Sequence, residues 1–265
     1  MKPGRYWLVP ILIAVAYGVA LAAAPAVSRP LVYFGFVEGL RVLAALACTA
    51  AALRYSAGDR MLVAWLLFAL NLVLLLIKDV LFGAQLHLWS GAADAALLRS
   101  GLVIAGNLAT VVAMALLAGT WRSAGLGQLE SRGRRIAATL TAVALATLTA
   151  GFAMSVNLRG LEHGHGGALE HLASDLGDFA TFCLIAPLAL VTFALRGGTL
   201  FWAWLFVVLS KLGWMVFDVL IGLGEANHSS ARLKPWTELA RCLALALMIV
   251  AGLAQRAGTS RRRSS

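Results

Sequence analysis

The chain has 265 residues, 61% of them hydrophobic and only 13% charged, with a formal net charge of +10. Soluble domains carry about twice that charged fraction. A water-soluble fold is therefore excluded, and because ten-residue alternation of polar and apolar positions is absent, so is a membrane barrel.

The apolar residues fall into runs of about twenty, enough to cross roughly 30 Å of hydrocarbon at 1.5 Å per residue. Taken in chain order they predict eight spans: 7–27, 31–53, 61–82, 92–119, 136–157, 169–195, 200–223 and 236–255. The expected fold is all-α, a polytopic membrane helical bundle. The N-terminal "MKPGR", apolar run and "AAAPA" also resemble a cleaved secretory signal. Retention of the first span is the preferred reading, because the duplication below works better with it.

Basic residues orient the bundle. Lys2, Arg5, Arg54, Arg60, Arg122, Arg132, Arg134, Arg135, Arg196, Arg256 and Arg261 to Arg263 lie at the termini and the even-numbered connections. Only Arg29, Arg159, Arg232 and Lys234 lie in the others. This bias places both termini in the cytoplasm and the protein in the cytoplasmic (inner) membrane. The positive charge then meets anionic lipid headgroups. Nucleic acid is not expected as a partner, since no folded reader accompanies the terminal "RRR".

Within span 3, "AWLLFALNLVLLLIKDVLFG" (64–83) matches "AWLFVVLSKLGWMVFDVLIG" (203–222) of span 7 at eight of twenty positions without gaps, Asp79 falling against Asp218. "LLRSGL" (97–102) and "LARCLA" (239–244) align Arg99 with Arg241, and "AALRY" and "FALRG" close spans 2 and 6 alike. Spans 1 and 5 share little. The pattern predicts a parallel 4+4 internal repeat, because a four-span unit ends on the side where it began. Residues 1–120 form the first unit, 121–135 a basic cytoplasmic loop, 136–256 the second unit and 257–265 a basic cytoplasmic tail.

Eleven of the charges inside the spans are the candidate site. They are Glu38, Arg41, Lys78, Asp79, Arg99, Asp175, Asp178, Lys211, Asp218, Glu238 and Arg241. Each costs about 2.5–3.5 kcal/mol at mid-membrane, so six acids and five bases predict a paired polar network inside the bundle, mostly toward its extracytoplasmic end. Lys78 lies close enough to its helix end to snorkel. Lys211 does not, and its expected partner is Asp79 or Asp178. Trp204, Lys211 and Asp218 recur every seven residues and share a face. Trp65, Trp89, Trp202, Trp204 and Trp236 suit interfacial belts.

All five histidines fall on the extracytoplasmic side. His163, His165, His171 and Asp175 form a candidate metal set for zinc, copper or iron, because imidazole and carboxylate are the ligands such divalent metals take. His87 and His228 are secondary outer-face positions. Cys48, Cys183 and Cys242 lie in spans and predict packing rather than disulfides.

Three functions fit this sequence. The leading one is a membrane protein whose outward-facing polar cavity binds or transports a small solute or ion, with proton coupling through its carboxylates and oligomerisation with copies of itself. The second is a metal-dependent enzyme acting on a lipid or lipid-linked substrate, with Asp178 as general base and Arg99 or Arg241 gripping an anionic group. The third is a sensor or accessory subunit in which the charges only hold helices together. No nucleotide-binding or nucleophile-elbow motif is present.

Overall fold

A computed structural model describes residues 3–83, 88, 93–123, 131–162, 168–196, 198, 200–226 and 229–260. Its long helices are α1 (Leu8–Ala23), α2 (Arg29–Ala52), α3 (Arg60–Phe82), α4 (Ala93–Ser123), α5 (Arg132–Glu162), α6 (Ala168–Ala194), α7 (Phe201–Ala226) and α8 (Ser230–Ser260). Among the described residues there is no strand. Seven helices contain a stretch long and apolar enough to cross a membrane. The eighth, α5, has a shorter apolar stretch, Ile136–Gly151, between more polar ends.

Local chemistry accounts for several helix boundaries. The Asp59 side chain accepts a hydrogen bond from the Met61 amide at 2.8 Å and so caps α3. Gly58, at φ 88°, makes the left-handed turn that leads into that cap. Helix α8 begins six residues before the span expected from sequence. Pro235 lies inside it rather than at its start, which a first-turn proline would favour. As a result Arg232 and Lys234 are helical, and Lys234 Nζ reaches Glu238 Oε1 one turn on, at 2.7 Å.

Helix α8 is the centre of the bundle. It packs against α1, α2 and α7, while α4 packs against α3 and α6, and α5 against α6 and α7. Close approach needs small residues. A Cβ added to Gly252 of α8 would sit 2.6 Å from the Ala47 carbonyl carbon and oxygen of α2. Between α7 and α8, Ser210 Oγ donates to the Ala244 carbonyl at 2.8 Å. Buried Gln255 donates through Nε2 to the Tyr55 hydroxyl, tying α8 to the chain just after α2.

Outward-facing side chains are apolar over much of the bundle. Leu12 and Val19 of α1, Leu46 of α2, Leu108 of α4, and Leu140 and Leu148 of α5 are all exposed. In water such a surface would drive aggregation, whereas hydrocarbon solvates it, and the helices satisfy their own backbone groups as lipid requires. The molecule is a multi-pass helical membrane protein. Two tryptophans depart from expectation. Trp65 and Trp204 are buried in the core and belong to no interfacial belt. Cys48, Cys183 and Cys242 are free thiols, as expected.

Candidate functional site

The charges singled out from sequence converge on one region, near the end of the bundle where α2, α4, α6 and α8 begin and α3, α5 and α7 end. They surround a cavity of about 460 Å³ that extends down to Asn71, Thr110 and Lys211. Arg41, Lys78, Asp79, Arg99, Asp175, Asp178, Lys211, Asp218 and Arg241 line it. Glu38 and Glu238 stand behind the first wall.

That wall is an ion-pair lattice joining α2, α3 and α8. Arg41, 1% exposed, donates from Nη1 to Glu38 Oε2 at 2.6 Å, to Asp79 Oδ2 at 2.8 Å and to the Leu75 carbonyl at 3.0 Å. Arg241 Nη2 donates to the same Asp79 Oδ2 at 2.7 Å, and its Nη1 lies 3.5 Å from Glu238 Oε2. Lys78 Nζ is 2.9 Å from Asp79 Oδ1. Three cations therefore converge on Asp79. The guanidinium of Arg241 also lies over the Phe217 ring, 5.6 Å from its centroid, a favourable cation–π placement.

The opposite wall, from α4, α5, α6 and α7, is built differently. Asn157 Nδ2 donates to Asp175 Oδ2 at 2.7 Å, and Asn107 Nδ2 reaches Ser174 Oγ at 3.4 Å. Asp218 has a buried Oδ2 with no hydrogen-bond partner among the described residues. Lys211, 5% exposed, forms no ion pair among the described residues within 4 Å. Its ammonium lies 5.3 Å from the centre of the Phe68 ring and feels the charge of Asp178. Of the two partners expected for Lys211, only Asp178 is available to it, because Asp79 is committed to Arg41, Lys78 and Arg241.

Helix periodicity explains how α7 reaches the cavity. Lys211, Trp214 and Asp218 are spaced i, i+3 and i+7, one face of the helix, and all three line the cavity. Trp204, expected on that face, is packed in the core beyond it. On α3 Asn71, Leu75, Lys78 and Asp79, at i, i+4, i+7 and i+8, likewise share the cavity-lining face.

Reading only for charges misses the uncharged polar lining: Asn71, Thr110, Asn107, Asn157, Ser174 and Thr181. The signal was available, since an amide inside an apolar run carries a desolvation cost as a charge does. Gly106 leaves room for the Asn71 amide, since a Cβ there would stand 2.8 Å from Asn71 Oδ1.

Among the described residues, no group of three or more His, Cys, Asp or Glu side chains is placed to hold a metal ion. The metal set read from sequence lies largely outside those residues. His163 and His165 do so entirely, as do His87 and His228, while only the backbone of His171 is described, within α6. Asp175 is described, and its carboxylate accepts from Asn157.

No protein-family model matches this chain, and comparison with curated proteins and with solved structures finds no match.

Proposed function

We propose that this protein is an inner-membrane binding or transport protein whose cavity receives a small solute or ion from the extracytoplasmic side. One observation carries the reading. The cavity has one wall where Arg41, Lys78 and Arg241 pair directly with Asp79, and a facing wall where Lys211, Asp178 and the Oδ2 of Asp218 lack hydrogen-bond and ion-pair partners among the described residues. A purely structural network would be closed on both sides, since each uncompensated buried charge costs several kcal/mol. Charges held ready in a cavity of this size are what a ligand site needs.

The basic-residue bias supports eight spans with both termini in the cytoplasm. Helix α5, 31 residues long, extends about 46 Å at 1.5 Å per residue, enough to cross. Helix neighbours support the duplicated 4+4 plan for three helices of each half. Exchanging the halves turns the α2–α8 contact into α6–α4 and the α3–α4 contact into α7–α8. Trp65 and Trp204, matched by the repeat, are both buried with unpartnered indole nitrogens. The first helices break the pattern, since α1 leans mainly on α8 whereas α5 leans on α6. Proton coupling fits the unpartnered carboxylates.

The test is thermal unfolding of the detergent-purified protein against amino acids, sugars, organic acids, amines, nucleosides and inorganic ions. Flux of any stabilising solute would then be measured in proteoliposomes with and without a pH gradient. A stabilising solute whose effect is lost in Lys211→Met or Asp218→Asn supports the reading. If none stabilises, the charged layer is a brace, as in a sensor or accessory subunit.

A further inference from the structure

The two halves of the chain treat one matched carboxylate in opposite ways. Asp79 and Asp218 occupy equivalent positions of the repeated segment, but the cations around Asp79 have no full counterpart around Asp218. Lys78 beside Asp79 becomes Phe217 beside Asp218. Arg41 lies twelve residues before the leucine of "LRY", and the residue twelve before the leucine of "LRG" is Cys183. Only the third cation, Arg241, keeps an equivalent, Arg99, which lines the cavity. The second carboxylate has thus lost two of the three charges that hold the first.

What surrounds Asp218 is more negative charge. Asp178 and Asp175 of α6 both act on it electrostatically. Asp175 is engaged by Asn157, which leaves Asp178, Asp218 and the single cation Lys211 as lining charges with neither a hydrogen bond nor an ion pair among the described residues. Their sum is −1. Trp214 stands one turn before Asp218 on the same face of α7, its ring edge-on to Phe217 at 5.3 Å between centroids.

An independent feature points to an occupant. Thr49, Thr120, Thr147, Thr149, Thr192, Thr237 and Thr259 each turn their hydroxyl to the carbonyl four residues back. Thr110 does not. It lies in α4, lines the cavity, is 6% exposed, and its Oγ1 has no partner among the described residues. A buried hydroxyl that forgoes the bond its own helix offers needs a partner of another kind.

We propose that Asp218 and Asp178, with the ring of Trp214, hold the ammonium or guanidinium group of a small organic cation, and that Thr110 contacts the same ligand deeper in the cavity. The inference rests on the cavity being a ligand site and adds its chemical class. A carboxylate pair neutralises the cation, and a tryptophan face attracts it where water is excluded. The cavity, about 460 Å³, suits an organic molecule better than a bare metal ion.

The probes are agmatine, putrescine and tyramine, with 4-hydroxyphenylacetate as the carboxylate match to tyramine. Binding to the full-length detergent-purified protein is read by thermal unfolding and calorimetry. At least one amine should stabilise the wild type and the carboxylate should not. Asp218→Asn should weaken binding at least about 30-fold, the loss expected when one partner of a desolvated charge pair is removed. Asp178→Asn and Trp214→Leu should weaken it too, and they carry the test if Asp218→Asn does not fold. Three inert amines, stabilisation by sodium or potassium instead, or undiminished amine binding in folded Asp218→Asn would each overturn the proposal. A neutral or anionic solute that binds through Lys211 would overturn it too, but would leave the cavity's binding role standing. If no solute of any class binds, both fall.

Discussion

Asp79 and Asp218 stand at matching positions of the similar segments 64–83 and 203–222, yet Asp79 Oδ2 receives Arg41 at 2.8 Å and Arg241 at 2.7 Å, whereas Asp218 Oδ2 is buried without a partner among the described residues. Equal chemistry at equivalent positions therefore has opposite energetic consequences. The first carboxylate joins three helices, and the second is held at a cost that only a ligand or a proton offsets.

Neutralising each aspartate in turn separates these roles. Asp79→Asn leaves the buried Arg41 and the partly buried Arg241 without their shared acceptor charge and should destabilise the protein by about 3 kcal/mol, the loss typical of breaking a buried pair. Asp218→Asn removes an uncompensated buried charge and should leave the melting temperature unchanged or raise it. Thermal unfolding of both variants in one detergent checks this. A larger loss for Asp218→Asn than for Asp79→Asn would mean that the second carboxylate is also a brace.

Much of this site is legible in the sequence because hydrocarbon makes charges expensive. Eleven charged residues in apolar runs had to be inside the bundle, and they are found around one cavity. Which of them pair was not legible. Lys78 lies close enough to its helix end either to snorkel or to join the network, and it closes on the neighbouring Asp79. Pairing depends on which helices touch, and the central position of α8 is set by small-residue packing such as Gly252 on Ala47, for which periodicity carries no signal. Trp65 and Trp204 were misplaced for a related reason. An amphipathic ring suits an interface as well as a core, and the choice is made by neighbouring helices.

The Gly252–Ala47 contact sets how closely α8 approaches α2. An added methyl group would fall 2.6 Å from the Ala47 backbone, which cannot turn aside as a flexible side chain can. Gly252→Ala should therefore cost about 1–3 kcal/mol as an overpacked interface. Gly39→Ala, where an added Cβ meets nothing within 4 Å, should be neutral or slightly stabilising, since alanine favours the helix by up to about 1 kcal/mol. Equal melting temperatures for the two variants would refute this account of the packing.

Thr110 and Thr192 make a similar contrast between two buried threonines. Thr192 donates to the Leu188 carbonyl at 2.8 Å, while the Thr110 hydroxyl has no partner among the described residues. In the ligand-free protein Thr110→Val should be neutral or stabilising by about 1 kcal/mol, because an unpaired polar group is replaced by an apolar one of the same shape. Thr192→Val should lose a hydrogen bond worth about 0.5–1.5 kcal/mol. If Thr110→Val proves the more damaging of the two without ligand, its hydroxyl serves the fold and not an occupant of the cavity.

Lys211 provides the sharpest test of which charges act together. It feels the charge of Asp178, whereas Asp79 is taken up by Arg41 and Arg241, so the two possible charge partnerships should behave differently. In a double-mutant cycle Lys211→Met with Asp178→Asn should show coupling of about 0.5–3 kcal/mol, the range for groups in one network. The double variant should then be more stable than the sum of the single losses implies, because each neutralisation relieves the charge left by the other. Lys211→Met with Asp79→Asn should be additive within about 0.5 kcal/mol. Exchanging the charges as Asp79→Lys with Lys211→Asp should rescue nothing, since it places a fourth cation among Arg41, Lys78 and Arg241 and an acid beside Asp178. Thermal unfolding of the six variants decides the matter. Strong coupling to Asp79 and none to Asp178 would reassign Lys211 to the braced wall and leave the facing carboxylates without their cation.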